Sequence, residues 1–158
     1  MLKLPLLRKQ MESIDFFNDF KGEQKDFLAS RESFFHEVAS GDILIHEGDP
    51  ERDLYVLLDG ELEVMKEGMP EPIAVLKSGA VFGEISFFSR KRRSTSIRAR
   101  DRAVVLKIPE DYFTELECDL QKTLMYKMVS LLVTRLEKMN VVMERIQELQ
   151  MRAAHANR

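Results

Sequence analysis

The chain has one cysteine, Cys118, among its 158 residues. An internal disulfide and a thiolate metal cluster are therefore both excluded. Cys118 reads as a small helix residue. Its three histidines, His36, His46 and His155, stand far apart without metal-ligand spacing, and no nucleophile and base fall into a recognisable pair. Catalysis has no sequence support. The opening MLKLPLLRKQ is broken by Pro5 and closed by Arg8 and Lys9, too short for a secretion signal or a membrane span. No membrane partner is expected, and a reducing, cytoplasmic location follows as the expectation.

What is present is the composition of a soluble globular protein, 44% hydrophobic and 32% charged, and of a length that suits one domain. The net charge of −3 conceals an uneven distribution. Residues Arg90 to Arg102 carry seven basic side chains and one acidic, a local +6 that leaves −9 for the remainder. An anionic, localised partner is the natural complement of such a segment, and a solvated basic turn is the plain alternative.

The pattern changes twice along the chain. Residues 1–40 place Ile14, Phe16, Phe17, Phe20, Phe27, Leu28, Phe34, Phe35 and Val38 among charged residues, as short helices burying one face would. Residues 41–108 then form short β-type runs at Ile43–Ile45, Leu54–Leu58, Leu62–Met65, Ile73–Leu76, Ser96–Arg98 and Ala103–Ile108. Turn chemistries such as Glu47-Gly48-Asp49-Pro50 and Asp59-Gly60 separate them. Six or more strands at this spacing predict a sandwich or barrel-like roll.

Residues 109–158 read as helical. Pro109, Glu110 and Asp111 suit a first helical turn, and no Gly or Pro follows Asp119. Met125, Val129, Leu132, Leu136, Met139, Met143 and Ile146 recur at alternating four and three residues, the seam of a coiled coil. A helix reaching about Gln150 would run roughly 45 Å and present residues 125–150 to a second copy in a parallel homodimer. Covering the roll is the alternative use of the stripe.

The chemistry concentrates in Phe82-Gly83-Glu84-Ile85-Ser86-Phe87-Phe88 and the Arg93-Ser94-Thr95 that follows. Gly83 allows a close backbone approach, and the next residues can open one helical turn with exposed N–H groups. Arg93 offers a planar fork for phosphate oxygens, and Ser94 adds donors. Glu84 suits a ligand that also donates a hydroxyl, as a ribose does.

These residues resemble the phosphate-binding cassette of the cyclic nucleotide-binding domain family, whose pattern is Phe-Gly-Glu followed nine or ten residues later by Arg. Here Glu84 and Arg93 are nine apart. A second stretch, Leu44-Ile45-His46-Glu47-Gly48-Asp49 with Leu54-Tyr55-Val56-Leu57 and Gly60, resembles the turn and strands that frame the cassette. The resemblance spans about residues 13 to 140 and implies an α+β fold. That fold is a jelly-roll-like β-roll holding the cassette at 82–96, with N-terminal helices and a long C-terminal helix.

It further implies that Glu84 holds the ribose 2′-hydroxyl, that Arg93 neutralises the cyclic phosphate, and that the backbone near Ser86 and Ser94 completes the shell. Phe82, Gly83, Ile85 and Thr95 complete the expected site. Met139 and Asn140 on the long helix are expected near the base. Phe87, Thr95 and Glu51 depart from the usual pattern of smaller residues. No cofactor is expected beyond the ligand, cAMP favoured over cGMP, with the signal passing through the C-terminal helix to a downstream protein that the sequence does not identify. No DNA partner is expected, since no helix-turn-helix follows the long helix. A dimeric adaptor of the same fold without a ligand is the alternative.

Overall fold

A computed structural model describes residues 4–156, in two compact units that divide after Gln121. The first unit begins with α1 (Leu4–Glu12) and α2 (Gly22–Ala29), joined by a 3-10 turn at Asp15–Phe17. Leu7 and Met11 of α1 are buried, as are Ile14, Phe16, Phe17, Phe20 and Leu28. The rings of Phe16, Phe17 and Phe20 lie 5.0–5.4 Å apart. Edge-to-face packing at this distance adds to the burial of the rings themselves.

Eight strands follow: β1 (Phe35–Val38), β2 (Ile43–Ile45), β3 (Leu54–Asp59), β4 (Leu62–Met65), β5 (Ala74–Leu76), β6 (Val81–Phe82), β7 (Ser96–Ala99) and β8 (Ala103–Ile108). They build two four-stranded antiparallel sheets, ordered β1-β8-β3-β6 and β2-β7-β4-β5. Side chains from both sheets meet in one core that includes Val38, Ile45, Tyr55, Leu57, Leu62, Phe82, Ile97 and Val105. This is the β-roll expected from the run of short strands.

Two strands escape the sequence pattern. The helical segment assigned to residues 1–40 gives way to strand at Phe35, because β1 pairs along its length with β8. Its alternation is poor, with only Val38 buried and Phe35 partly so, and the Phe-rich stretch reads as helix. β6 has two residues and no period to detect, yet both are buried and Tyr55 pairs with Phe82.

At the β3–β4 corner Gly60 has φ +86°, and a Cβ there would lie 2.5 Å from the Arg102 carbonyl oxygen. Only glycine turns this corner. A helix between β6 and β7, α3 (Glu84–Ser89), precedes α4 (Glu110–Phe113), which follows β8 with Pro109 as its N-cap.

The last helix, α5, runs Cys118–Ala156 over 39 residues, about 58 Å at 1.5 Å per residue, longer than the expected end near Gln150. Cys118 is its exposed first residue. Within the second unit, Val129, Leu136, Met139, Met143 and Ile146 are exposed apolar residues on this helix.

Candidate functional site

The chain leaves β6 at Phe82 and turns through Gly83, whose φ is +87°. A Cβ at this position would lie 2.6 Å from the Asp53 carbonyl oxygen, 2.9 Å from Arg93 Nη1 and 3.4 Å from Tyr55 Cδ2. The left-handed backbone and the close approach both require glycine. α3 follows, burying Glu84 and Ser86 and leaving Ile85 56% exposed. It closes at Arg90, with φ 58°, whose N–H donates to the Ser86 carbonyl at 3.1 Å. The bulky Phe87 packs edge-on against Phe113 of α4 at 5.1 Å, so the departure from a smaller residue serves to join α3 to α4.

Arg93 returns from the far side of the loop and is only 5% exposed. Its Nη1 donates to the Gly83 carbonyl at 3.1 Å and its Nη2 to the Asp53 carbonyl at 2.8 Å. The guanidinium lies 5.7 Å from the centre of the Tyr55 ring, which stacks on Phe82 at 5.2 Å. Burial pushes the Tyr55 phenol above its ordinary value, so that ring stays neutral beneath the cation. Arg93 Nε is buried and has no hydrogen-bond partner. A guanidinium is always charged, and a buried donor left unbonded is costly.

The upstream turn braces the other end of the loop. Gly48 N–H donates to the Arg93 carbonyl at 2.8 Å, and Arg93 N–H donates to the Asp49 carbonyl at 2.9 Å. Glu47 N–H donates to Ser96 Oγ at 2.8 Å, and Lys66 Nζ, paired with the Glu47 carboxylate, also donates to the Ser94 carbonyl at 2.9 Å. The hydrogen bond from Lys66, with a second from Glu67 N–H, holds the Glu47 carboxyl below its ordinary value. The two stretches singled out in the sequence are thus parts of one hydrogen-bonded structure.

Of the residues singled out in the sequence, Gly83 and Arg93 are joined by the Nη1 hydrogen bond; Phe82, Glu84, Ser86 and Arg93 are buried, Gly83 and Thr95 half-buried, and Ile85 and Ser94 exposed. Met139 and Asn140 are exposed residues of α5 and belong to the second unit. Sequence reasoning missed Asp53, Tyr55 and Lys66 as members of the site. Asp53 stands 40 residues before Arg93, and its contribution to the guanidinium is a main-chain oxygen, which no side-chain pattern reveals.

The basic run divides sharply. Arg98 pairs with Glu63 at 2.6 Å, Arg100 with Glu61 at 3.0 Å and Arg102 with Glu37 at 2.9 Å. Arg90, Lys91 and Arg92 are exposed beside the cassette, and Arg92 Nη1 donates to the Gly48 carbonyl at 2.9 Å. No cluster of three or more potential metal ligands occurs among the described residues, and none of their helices is long and apolar enough to cross a membrane.

Residues 35–117 match the family model described as cyclic nucleotide-binding domain. The chain is 39% identical over 77 residues to a cAMP-dependent protein kinase regulatory subunit of Emericella nidulans, covering 49% of this chain and 19% of that protein. It thus spans about a fifth of that relative's length. Among solved structures it is similar to a cyclic nucleotide-binding domain from Methylobacillus flagellatus, at TM-score 0.69 and 25% identity over 85% of this chain and 79% of that one. The catabolite activator protein of Thermus thermophilus shares the fold, at TM-score 0.69 and 21% identity over 84% of this chain and 62% of that one.

Proposed function

The chain belongs to the cyclic nucleotide-binding domain family, and from that premise we propose that it binds a cyclic nucleotide in the cassette, with cAMP favoured over cGMP. The observation that carries this reading is Arg93, buried, fixed by two main-chain carbonyls and keeping an unbonded Nε. The cyclic phosphate is the acceptor it fits, with Ser94 and the backbone near Ser86 adding donors. Glu84 takes the ribose 2′-hydroxyl. Kinship to a regulatory subunit named for cAMP favours that nucleotide.

The role is that of a sensor rather than an enzyme. Its output passes through α5, whose exposed apolar seam suits a parallel homodimer through residues 125–150, and a downstream protein reads the result. A cytoplasmic location accords with this role.

Calorimetric titration with cAMP and with cGMP, run in parallel on Arg93→Ala, tests the proposal. Saturable heat with the parent protein that the variant loses supports it, and the tighter nucleotide names the preference. No heat with either nucleotide from a folded protein refutes it in favour of an adaptor that dimerises without ligand.

A further inference from the structure

Arg90 and Lys91 have no role in the site described above, and Arg92 reaches it only through its hydrogen bond to the Gly48 carbonyl. Arg90, Lys91 and Arg92 are exposed, Arg93 is buried, and the next residue, Ser94, is exposed again. The whole stretch from Arg90 to Thr95 lies outside regular secondary structure. We infer that Ser94 is a phosphorylation site for a basic-directed serine kinase, and that a phosphate there excludes the anionic ligand from the cassette.

The spacing and the burial agree on the acceptor. Serine kinases of this class read positive side chains two and three residues before the hydroxyl, which for Ser94 are Arg92 and Lys91, both exposed, with Arg92 Nη1 donating to the Gly48 carbonyl at 2.9 Å. The residue between them and the acceptor, Arg93, is the one such a kinase need not read, and it is the one turned inward. For Thr95 the corresponding pair would be Arg93 and Arg92, so half the signal would be buried, and Thr95 is itself half-buried. Ser96 Oγ already accepts from Glu47 N–H, Ser86 is buried, and Ser89 follows two phenylalanines rather than basic residues.

The chemistry is ordinary phosphoryl transfer. Ser94 Oγ attacks the γ-phosphorus of ATP, an O–P bond forms, and the bond to the β–γ bridging oxygen breaks with its electrons leaving on ADP. The hydroxyl proton passes to the kinase's base. The product adds close to two negative charges next to Arg93 and the exposed Arg90, Lys91 and Arg92, an arrangement that favours charge-assisted hydrogen bonds to the phosphate. A cyclic phosphate would then meet a site already neutralised. Bound ligand should in turn cover Ser94. This mutual exclusion rests on the proposed function, whereas the modification itself does not.

The test incubates the whole chain with ATP and a purified serine kinase that reads basic residues at those two positions, followed by mass mapping of the peptide. One phosphoryl group on Ser94, lost in Ser94→Ala and strongly slowed in a folded Lys91→Ala/Arg92→Ala double variant, supports the site. No incorporation, incorporation at Thr95 or Ser96, or an unchanged rate in the double variant overturns it. Adding cAMP at ten times its calorimetric Kd leaves about a tenth of the sites free and should slow the reaction about tenfold. An unchanged rate in protein whose calorimetry shows cAMP bound overturns the exclusion. Absence of calorimetric binding defeats the proposed function instead, and incorporation at Ser94 then still supports the modification site.

Discussion

Arg93 and Asp53 meet without forming an ion pair. The guanidinium donates to the main-chain oxygen of Asp53 at 2.8 Å, while the Asp53 carboxylate binds Lys107 Nζ at 2.9 Å and accepts the Glu110 N–H at 3.0 Å. An acidic side chain so near would oppose an anionic ligand, and here it is engaged elsewhere. The positive charge of Arg93 stays available.

Arg93→Lys should lose most of the affinity despite keeping the charge, because an ammonium cannot satisfy two carbonyls and still present a fork. Arg93→Ala should cost about 2–5 kcal/mol of binding. Calorimetry on both variants, checked for folding by circular dichroism, decides it. Affinity within twofold of the parent in Arg93→Ala would remove Arg93 from the site.

Asp53→Asn keeps the carbonyl that holds Arg93 and removes the charge that holds Lys107. It should lower stability by about 1 kcal/mol and leave nucleotide affinity nearly unchanged. Thermal melts beside titrations separate the two effects. A large loss of affinity at unchanged stability would contradict the division of labour in Asp53.

Gly83→Ala should be more damaging than its size suggests. The added methyl meets the Asp53 carbonyl oxygen and Arg93 Nη1 in a backbone conformation that alanine resists. A stability loss of about 1–3 kcal/mol with weakened binding is expected. Melting unchanged from the parent would show that the turn relaxes freely.

Glu47 makes part of the stability pH-dependent. Its folded carboxyl titrates below its ordinary 4.5, so between the two values the unfolded chain holds more protons and stability rises with pH. The contribution is complete above about pH 4.5 and is lost as pH falls through the lowered folded value. Glu47→Gln should flatten the melting temperature's fall across that acid window, and an identical pH profile would discount the Lys66 brace.

Leu136→Asp places a charge in the exposed seam of α5 and should shift sedimentation from dimer toward monomer while the roll keeps its melting temperature. A monomeric parent protein would dismiss the seam as a self-association surface.

Much of this arrangement is legible in the sequence, for reasons that differ by element. The runs at Ile43, Leu54 and Leu62 announce strands because glycine turns bound them, and the run at Ala103 because Asp101 and Pro109 flank it. The cassette is legible because Gly83, Glu84 and Arg93 keep their spacing. β1 and β6 are not, since one alternates poorly and the other is too short to alternate. Asp53 and Lys66 stay hidden because a folded chain alone brings them to Arg93 and Ser94. The basic run misleads in part, because the local charge of residues 90–102 counts the arginines but leaves out Glu37, Glu61 and Glu63, which stand earlier in the chain.

Those arginines have another effect. Arg98 stands directly opposite Glu63 where β7 meets β4, and Arg102 reaches Glu37 where β8 meets β1. A slip of one residue would turn Arg98 inward, toward the apolar interior, and set Ile97 in water. The Arg98–Glu63 pair therefore penalises misalignment of β7 on β4, and its worth lies in the misfolded arrangements it forbids.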